Sequence, residues 1–207
     1  MNSKRLIQTG KTFSLRDTPQ LAELRRHAVH THQTIPDARY MFFDDNQIEQ
    51  FFIQLYPEYM DTYRSFDRRI QQIDFFRYVV IYHYGGLYYD LDMQVHQPFD
   101  NFHPTQCIFP IEYLKSSDTI LHEQGEQRLI GNYAFYAPPN HPFIKAIIDN
   151  IVQPRIPPQS LPLDENALVY YTTGPVLVTQ TYIDFVRKHP DHSDTVRLLQ
   201  PTPFRPC

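Results

Sequence analysis

Two carboxylates separated by a single residue follow a glycine pair and a short β-prone segment. Residues 85–92 read GGLYYDLD. Residues two apart on an extended chain point to the same side, so Asp90 and Asp92 are predicted to face one way and Leu91 the other. A Mg²⁺-like cation is typically held by one or two carboxylates together with substrate phosphates. The spacing therefore predicts a divalent cation site that takes a phosphate-bearing substrate.

Two formal charges lie inside the long apolar helix that precedes the glycines, predicted over Arg68 to Tyr84. Asp74 and Arg77 fall within its apolar stripe, and they are the only Asp, Glu, Lys or Arg from 74 to 84. A helix that is apolar nearly all round is usually buried, and a buried charge needs a partner. One interpretation is an internal ion pair; the other places both side chains in a polar cleft beside the paired aspartates. We favour the second, because the glycine pair and the aspartates follow at once.

The composition of the 207 residues excludes several classes of protein. Hydrophobic residues make up 42% and charged residues 20%, which is typical of a globular domain. The net charge of −4 argues against a nucleic-acid binder that works through a basic surface. No apolar run is long enough for a membrane span, and the N-terminus lacks the apolar core of a secretory signal. We therefore expect a cytoplasmic protein without a membrane span.

Strand and helix patterns alternate along the chain, which indicates an α/β fold in one domain covering residues 1–207. The stretch from 94 to 128 gives no clear pattern. Predicted strands span 5–9, 38–43, 87–91, 129–137 and 195–199. Predicted helices span 19–32, 46–55, 68–84, 141–152 and 163–171, with a short helical turn over 57–63. A last helix is predicted to follow the segment 173–175 and to run to about 188.

The block from 74 to 92, DFFRYVVIYHYGGLYYDLD, resembles the sugar-binding region with the DXD motif of glycosyltransferases. It is most similar to the Och1-like α-mannosyltransferases (family 32 type) and, more distantly, to the glucosylating clostridial toxins. Shorter segments extend the resemblance over nearly the whole chain. They are LIQTGK at 6–11, GN at 131–132, PNHPF at 139–143 and TGP at 173–175.

This resemblance implies a GT-A fold, a Rossmann-like α/β sandwich that binds a nucleotide-sugar (a UDP- or GDP-hexose) and a divalent metal, Mn²⁺ or Mg²⁺. It implies transfer of the hexose to a hydroxyl of a glycan, lipid or protein acceptor, with retention at the anomeric carbon. By motif position, Asp90 and Asp92 would hold the metal and the diphosphate. Asp74 and Arg77 would contact the donor sugar and its phosphate side, and with Asp92 they are the predicted catalytic residues. The nucleotide pocket would be lined by Ile7, Gln8 and Thr9.

Two other functions fit parts of the pattern. A phosphatase of the haloacid-dehalogenase type also uses Asp-x-Asp after an apolar strand, but it usually has Thr where this chain has Gln94. A non-catalytic nucleotide-sugar-binding module would keep the same fold, and only the retained aspartates and Arg77 argue against it. Two further sites have structural interpretations: Asp44 or Asp45 is predicted to cap the helix over 46–55, and His141 is predicted to have a structural role at a helix start.

Overall fold

A computed structural model describes residues 4–11, 35, 37–95, 103–113, 128–154, 165–199 and 204–206. The strands are β1 (Arg5–Thr9), β2 (Arg39–Phe43), β3 (Gly86–Tyr89), β4 (Met93–Val95), β5 (Cys107–Tyr113), β6 (Arg128–Ile130), β7 (Ala134–Ala137), β8 (Val196–Leu199) and β9 (Phe204–Pro206). The helices are α1 (Asp45–Leu55), α2 (Met60–Ser65), α3 (Arg69–Tyr84), α4 (Pro142–Val152), α5 (Glu165–Thr172) and α6 (Pro175–Lys188), with 3₁₀ turns over Pro57–Tyr59 and Pro190–Thr195. The helix predicted over 19–32 lies outside the described residues.

The central sheet has seven strands and is parallel in one half and mainly antiparallel in the other. Its order is β2-β1-β3-β7-β5-β6, and β8 pairs in parallel with β5. Strand β1 runs parallel to β2 and β3, whereas β7 runs antiparallel to both β3 and β5. A separate ribbon joins β4 to β9. The α/β prediction is confirmed, but the antiparallel half was not expected from the alternation of strands and helices.

The single strand predicted over 129–137 is wrong, because two strands occupy that segment. Gly131, Asn132 and Tyr133 separate β6 from β7. A Cβ atom at Gly131 would come within 2.6 Å of the Tyr133 ring, so the bend leaves no room for a side chain there. The result is a tight loop at the sheet edge, with the Asn132 side chain buried.

Helix α3 runs through the centre of the molecule. Every residue from Asp74 to Ile81 is buried, which confirms the prediction of a buried helix. Its apolar side chains join a cluster with those of β1, β3, α1, α4 and α6. The helix ends at Gly85, whose N–H donates to the carbonyl of Ile81 at 2.8 Å. None of the helices in the described part of the chain has the length and apolar character that crossing a bilayer needs.

Two helix starts are capped as the sequence predicts. Asp44 accepts a hydrogen bond from the backbone of Gln47, and the Gln47 side chain accepts from the backbone of Asp44. This reciprocal capping satisfies two backbone donors at the start of α1. At α4, the His141 ring accepts from the N–H of Phe143 at 3.2 Å. Both residues therefore have the structural role that was expected.

Candidate active site

Strands β1, β2 and β3 run parallel and end at one edge of the sheet. Asp90 and Asp92 lie just beyond this edge. The N–H of Gly10 donates to the carbonyl of Phe43 at 3.2 Å, which joins the ends of β1 and β2. A Cβ atom at Gly10 would come within 2.9 Å of both Leu91 Cδ1 and the Phe42 ring. The residue between the two aspartates therefore packs over the end of β1. In α/β sheets, ligands bind at this carboxyl edge of the strands.

The aspartates belong to a turn, so the prediction that they extend from one strand is wrong. Strand β3 ends at Tyr89, and the N–H of Met93 donates back to the Asp90 carbonyl at 3.1 Å. The Asp90 N–H still donates to the Tyr133 carbonyl at 2.8 Å. Strand β7 begins only at Ala134, so a longer β3 would have no further partner strand on that side. The turn places Asp90 against the protein and leaves Asp92 exposed.

Asp90 is held by two neighbours and keeps part of its surface open. Its Oδ1 accepts from the Tyr88 hydroxyl at 2.9 Å and lies 3.2 Å from Arg77 Nη2, while 29% of the side chain is exposed. Burial raises the pKa of Asp90, Arg77 lowers it, and the negative charge of Asp92 raises it again. The negative charges of Asp90 and Asp92 therefore oppose each other. A cation between them would relieve their repulsion.

Arg77 is the centre of the charged group and is 2% exposed. Its Nη2 lies 2.9 Å from Asp74 Oδ1, and its Nη1 donates to the Asn132 carbonyl at 2.7 Å. The guanidinium carbon lies 4.8 Å from the centre of the Tyr88 ring, within cation–π range. The internal ion pair, which was one of the two interpretations of the charges on this helix, is present. The same guanidinium reaches Asp90, so the pair is part of the site as well.

Asp74 lies behind Arg77 and is 3% exposed. Besides the ion pair, it accepts hydrogen bonds from Thr173 Oγ1 at 2.9 Å and Asn132 Nδ2 at 3.2 Å. Burial raises the pKa of Asp74 to about 6, against the lowering effect of Arg77 and the two donors. Asp74 thus contacts Arg77 directly and reaches Asp90 only through it.

Three neutral polar residues of this group were not predicted as site residues. Tyr78 donates from its hydroxyl to the Thr173 carbonyl at 2.9 Å and accepts from Asn132 Nδ2 at 3.0 Å. Asn132 and Thr173 come from the loop before β7 and the turn between α5 and α6. The sequence contained a signal for Asn132 and Thr173, because each lies next to a glycine in one of the short segments that extend the resemblance to glycosyltransferases.

The side chains of β1 alternate between the two faces of the sheet. Ile7 packs in the main apolar cluster. Gln8 is fully buried, and its Oε1 accepts from the Tyr40 hydroxyl at 3.1 Å. Thr9 and Tyr88 share a hydrogen bond of 3.1 Å between their hydroxyls. Of the three residues, Thr9 is the one linked to Asp90, through Tyr88; the role of all three in a nucleotide pocket stays a prediction.

The residues present suit a hard cation rather than zinc. Across the described ranges, no three His, Cys, Asp or Glu side chains come together as a metal cluster. Two carboxylates, those of Asp90 and Asp92, could serve as oxygen donors. Mg²⁺ and similar ions are commonly bound by one or two carboxylates, with water and substrate phosphates completing the coordination, whereas zinc takes three or four protein ligands. The donor set therefore fits an ion that is bound together with a diphosphate.

Comparisons with known proteins find similarity to glycosyltransferases. Residues 23–109 match a protein family described as the glycosyltransferase sugar-binding region containing the DXD motif. Mannosyl phosphorylinositol ceramide synthase CSH1 of Saccharomyces cerevisiae is 27% identical over 202 residues, which are 94% of this chain and 47% of that protein. Inositol phosphoceramide mannosyltransferase 1 of Schizosaccharomyces pombe is 31% identical over 113 residues, which are 55% of this chain and 32% of that protein.

A solved structure, the PaToxG glycosyltransferase, has the same fold. The TM-score is 0.59 at 15% sequence identity, and the match covers 93% of this chain and 72% of that one. The chain spans about half the length of CSH1, since the match covers 47% of that relative. Residues 23–109 are therefore similar to the glycosyltransferase sugar-binding region that contains a DXD motif, which is the resemblance that the sequence predicts.

Proposed function

We propose that this protein is a metal-dependent glycosyltransferase that moves a hexose from a nucleotide-diphosphate sugar to an acceptor hydroxyl, with retention at the anomeric carbon. We further propose that residues 1–207 form one GT-A-like domain. The observation that carries the proposal is the buried Arg77 guanidinium, shared between Asp74 and the partly open Asp90 beside exposed Asp92. Such a site places one fixed positive charge and two carboxylates at the ligand-binding edge of the sheet.

Sugar transfer requires stabilisation of the departing nucleoside diphosphate. Mn²⁺ or Mg²⁺ held by Asp90 and Asp92 would act there as a Lewis acid. Arg77 adds a positive charge that needs no reorganisation during the reaction, because its side chain is already fixed by Asp74 and the Asn132 carbonyl. Asp74 serves this site by orienting Arg77. Tyr88 donates to Asp90 and keeps that carboxylate in place.

The names of two relatives suggest which donor and acceptor to test first. Two relatives are named for mannosyl transfer and for inositol phosphoceramide. We therefore propose mannose as the first hexose, carried by GDP or UDP, and the headgroup hydroxyl of a lipid as the first acceptor. Glycan and protein hydroxyls are the other acceptor classes.

The test is the Asp92→Asn variant, which removes one carboxylate charge without disturbing a buried contact. Purified protein is given GDP-mannose or a UDP-hexose with Mn²⁺, and release of the nucleoside diphosphate is measured. We expect wild-type turnover to disappear with a chelator and in Asp92→Asn, while the thermal midpoint of the variant stays unchanged. Asp61→Asn, the same change at another exposed aspartate on α2, is the control and should turn over normally.

Two results would contradict this proposal. Near-full turnover by Asp92→Asn would remove the metal assignment. Hydrolysis of simple phosphate esters with no action on any nucleotide-sugar would favour the phosphatase interpretation instead.

A further inference from the structure

A closed set of buried hydrogen bonds joins three separate segments behind Arg77. Thr173 is fully buried; its hydroxyl donates to Asp74, and its carbonyl accepts from the Tyr78 hydroxyl. Asn132 donates from Nδ2 to both Asp74 and Tyr78, and its backbone carbonyl accepts from Arg77. These groups belong to helix α3, the β6–β7 loop and the α5–α6 turn. None of the three neutral residues reaches Asp90 itself in the contacts described above.

This arrangement fixes both ends of the Asp74–Arg77 pair. Asp74 Oδ2 accepts from Thr173, while Oδ1 accepts from Asn132 and faces Arg77 Nη2. The carboxylate therefore cannot rotate without losing a charge-assisted bond. Arg77 Nη1 is likewise held by the Asn132 carbonyl at 2.7 Å. An arginine side chain has many rotamers, and these contacts select one that keeps Nη2 within 3.2 Å of Asp90.

We propose that Tyr78, Asn132 and Thr173 are positioning residues of the transferase site, which hold Asp74 and Arg77 so that one guanidinium is presented to Asp90. The proposal deepens the function proposed above and rests on it for its catalytic consequence. Its structural half, the ordering of Arg77, can be measured without any substrate.

The first experiment measures the order of Arg77 directly in ¹⁵N-labelled protein. The Nη–H signals of Arg77, identified by their loss in Arg77→Lys, should be resolved and slow to exchange with solvent in the wild type. Thr173→Val removes the donor to Asp74 in nearly the same volume, and we expect it to speed that exchange about tenfold, the size expected for one lost bond to a charged group. Thr173→Ser keeps the hydroxyl and should keep the slow exchange.

A matched control separates this effect from general damage to a threonine site. Thr181 on α6 is also buried, and its hydroxyl donates to the Leu177 carbonyl at 2.7 Å. Thr181→Val should leave the Arg77 signals unchanged. If Thr173→Val fails to fold, Tyr78→Phe gives the same test, because it removes the hydroxyl that links Thr173 to Asn132.

The second experiment measures binding of a nucleoside diphosphate with Mn²⁺ by calorimetry, so that turnover is not required. We expect its Kd to rise about tenfold in Thr173→Val and Tyr78→Phe, and to return to the wild-type value in Thr173→Ser. Unchanged Arg77 exchange in both Thr173→Val and Tyr78→Phe would overturn the proposal. Faster exchange with unchanged binding would overturn it too. A wild type that binds no nucleoside diphosphate would instead refute the proposed function, while the exchange rates would still decide the ordering of Arg77.

Discussion

Arg77 is a residue with both a structural and a chemical role, and the two roles depend on each other. Removing a charge from water is costly, so a buried ion pair adds little stability unless hydrogen bonds satisfy the remaining donors. Here Nη1 donates to the Asn132 backbone carbonyl and Nη2 lies 3.2 Å from Asp90, whereas Nε is buried without a hydrogen-bond partner among the described residues. The planar fork of arginine can serve three acceptors at fixed angles, whereas the ammonium of lysine is a point charge without that geometry.

Replacing Arg77 with lysine should therefore cost activity even where the charge is kept. We expect kcat of Arg77→Lys to fall by about 10²–10³-fold, the size seen when one preorganised donor is removed from an active site. The free energy of unfolding should fall as well, because Asp74 and the Asn132 carbonyl lose donors. Turnover and urea denaturation measure the two effects.

The control for Arg77→Lys is the same exchange at an exposed pair. Arg64 lies 3.0 Å from Glu49, and its side chain is 61% exposed. Exposed pairs contribute about 0–1 kcal/mol, so Arg64→Lys should leave both turnover and stability nearly unchanged. Wild-type turnover in Arg77→Lys would exclude Arg77 from the chemistry.

The sequence predicted the charged residues of the site better than the neutral ones. Arg77 contacts both Asp74 and Asp90, and the three were predictable because charges on an apolar helix and after a glycine pair are conspicuous. Asn132 lies 55 positions from Arg77, and Thr173 lies 99 positions from Asp74. Their partners are set by tertiary packing, and a buried Asn or Thr is not distinctive in a single sequence.

The link between α3 and β3 shows how an element boundary positions the site. Gly85 and Gly86 have φ angles of 63° and 126°, which residues with a Cβ rarely adopt. A Cβ at Gly86 would also come within 2.8 Å of the Arg5 carbonyl oxygen. The chain therefore leaves the buried helix and joins β1 in a parallel pair within two residues. This sharp reversal brings Asp90 back beside Arg77 on the helix.

Gly86→Ala should destabilise the protein through both strain and contact. Positive φ at a residue with a side chain costs about 1–3 kcal/mol, and the clash with the Arg5 backbone adds to it. Thermal or urea unfolding at neutral pH measures the loss. A variant as stable as the wild type would show that β1 and β3 can separate slightly at this point, and that the glycine is not required.

The start of α4 gives a prediction on pH. Burial lowers the pKa of His141 to about 4 from its ordinary 6.5, and the ring accepts from the Phe143 N–H only while Nδ1 is unprotonated. Between about pH 4 and 6.5 the unfolded chain therefore binds more protons at this residue than the folded protein. Stability should then rise with pH across this window, by at most about 3 kcal/mol.

His141→Asn tests this contribution, because asparagine is a good helix cap and does not titrate. Urea unfolding at several values across the window should show a flatter pH dependence in His141→Asn than in the wild type. Equal slopes would mean that other groups cause the dependence.

Element boundaries were the least predictable part of the fold. The strands and helices with strong periodicity were found at nearly their observed positions, including β1, α1, α3 and α6. Strand β5 lies in the stretch that gave no clear pattern, and the sequence predicts one strand where β6 and β7 lie. Both errors fall in the antiparallel half of the sheet. There the paired strands are distant along the chain, and the alternation of apolar and polar residues in one strand does not indicate which strand pairs with it.

At the scale of the whole molecule, the mixed sheet brings three distant segments to one end. The parallel half places the ends of β1, β2 and β3 at the same edge. The antiparallel β7 begins at this edge, so the loop before it delivers Asn132 beside Arg77. The α5–α6 turn adds Thr173, which bonds to Asp74 and Tyr78 of α3, as Asn132 does. The residues of such a site come together only when the whole sheet has formed.

Ligand binding at this edge should therefore stabilise the whole fold, since the site does not exist in the unfolded chain. A ligand at 100 times its Kd adds about 2.7 kcal/mol, which for a chain of this size corresponds to a rise of about 5–10 °C in Tm. We expect that rise with Mn²⁺ and the correct nucleotide-sugar together, and little from the nucleotide-sugar with a chelator. Asp92→Asn should show no metal-dependent part of the shift. An equal rise with and without Mn²⁺ would mean that the nucleotide binds independently of the paired aspartates.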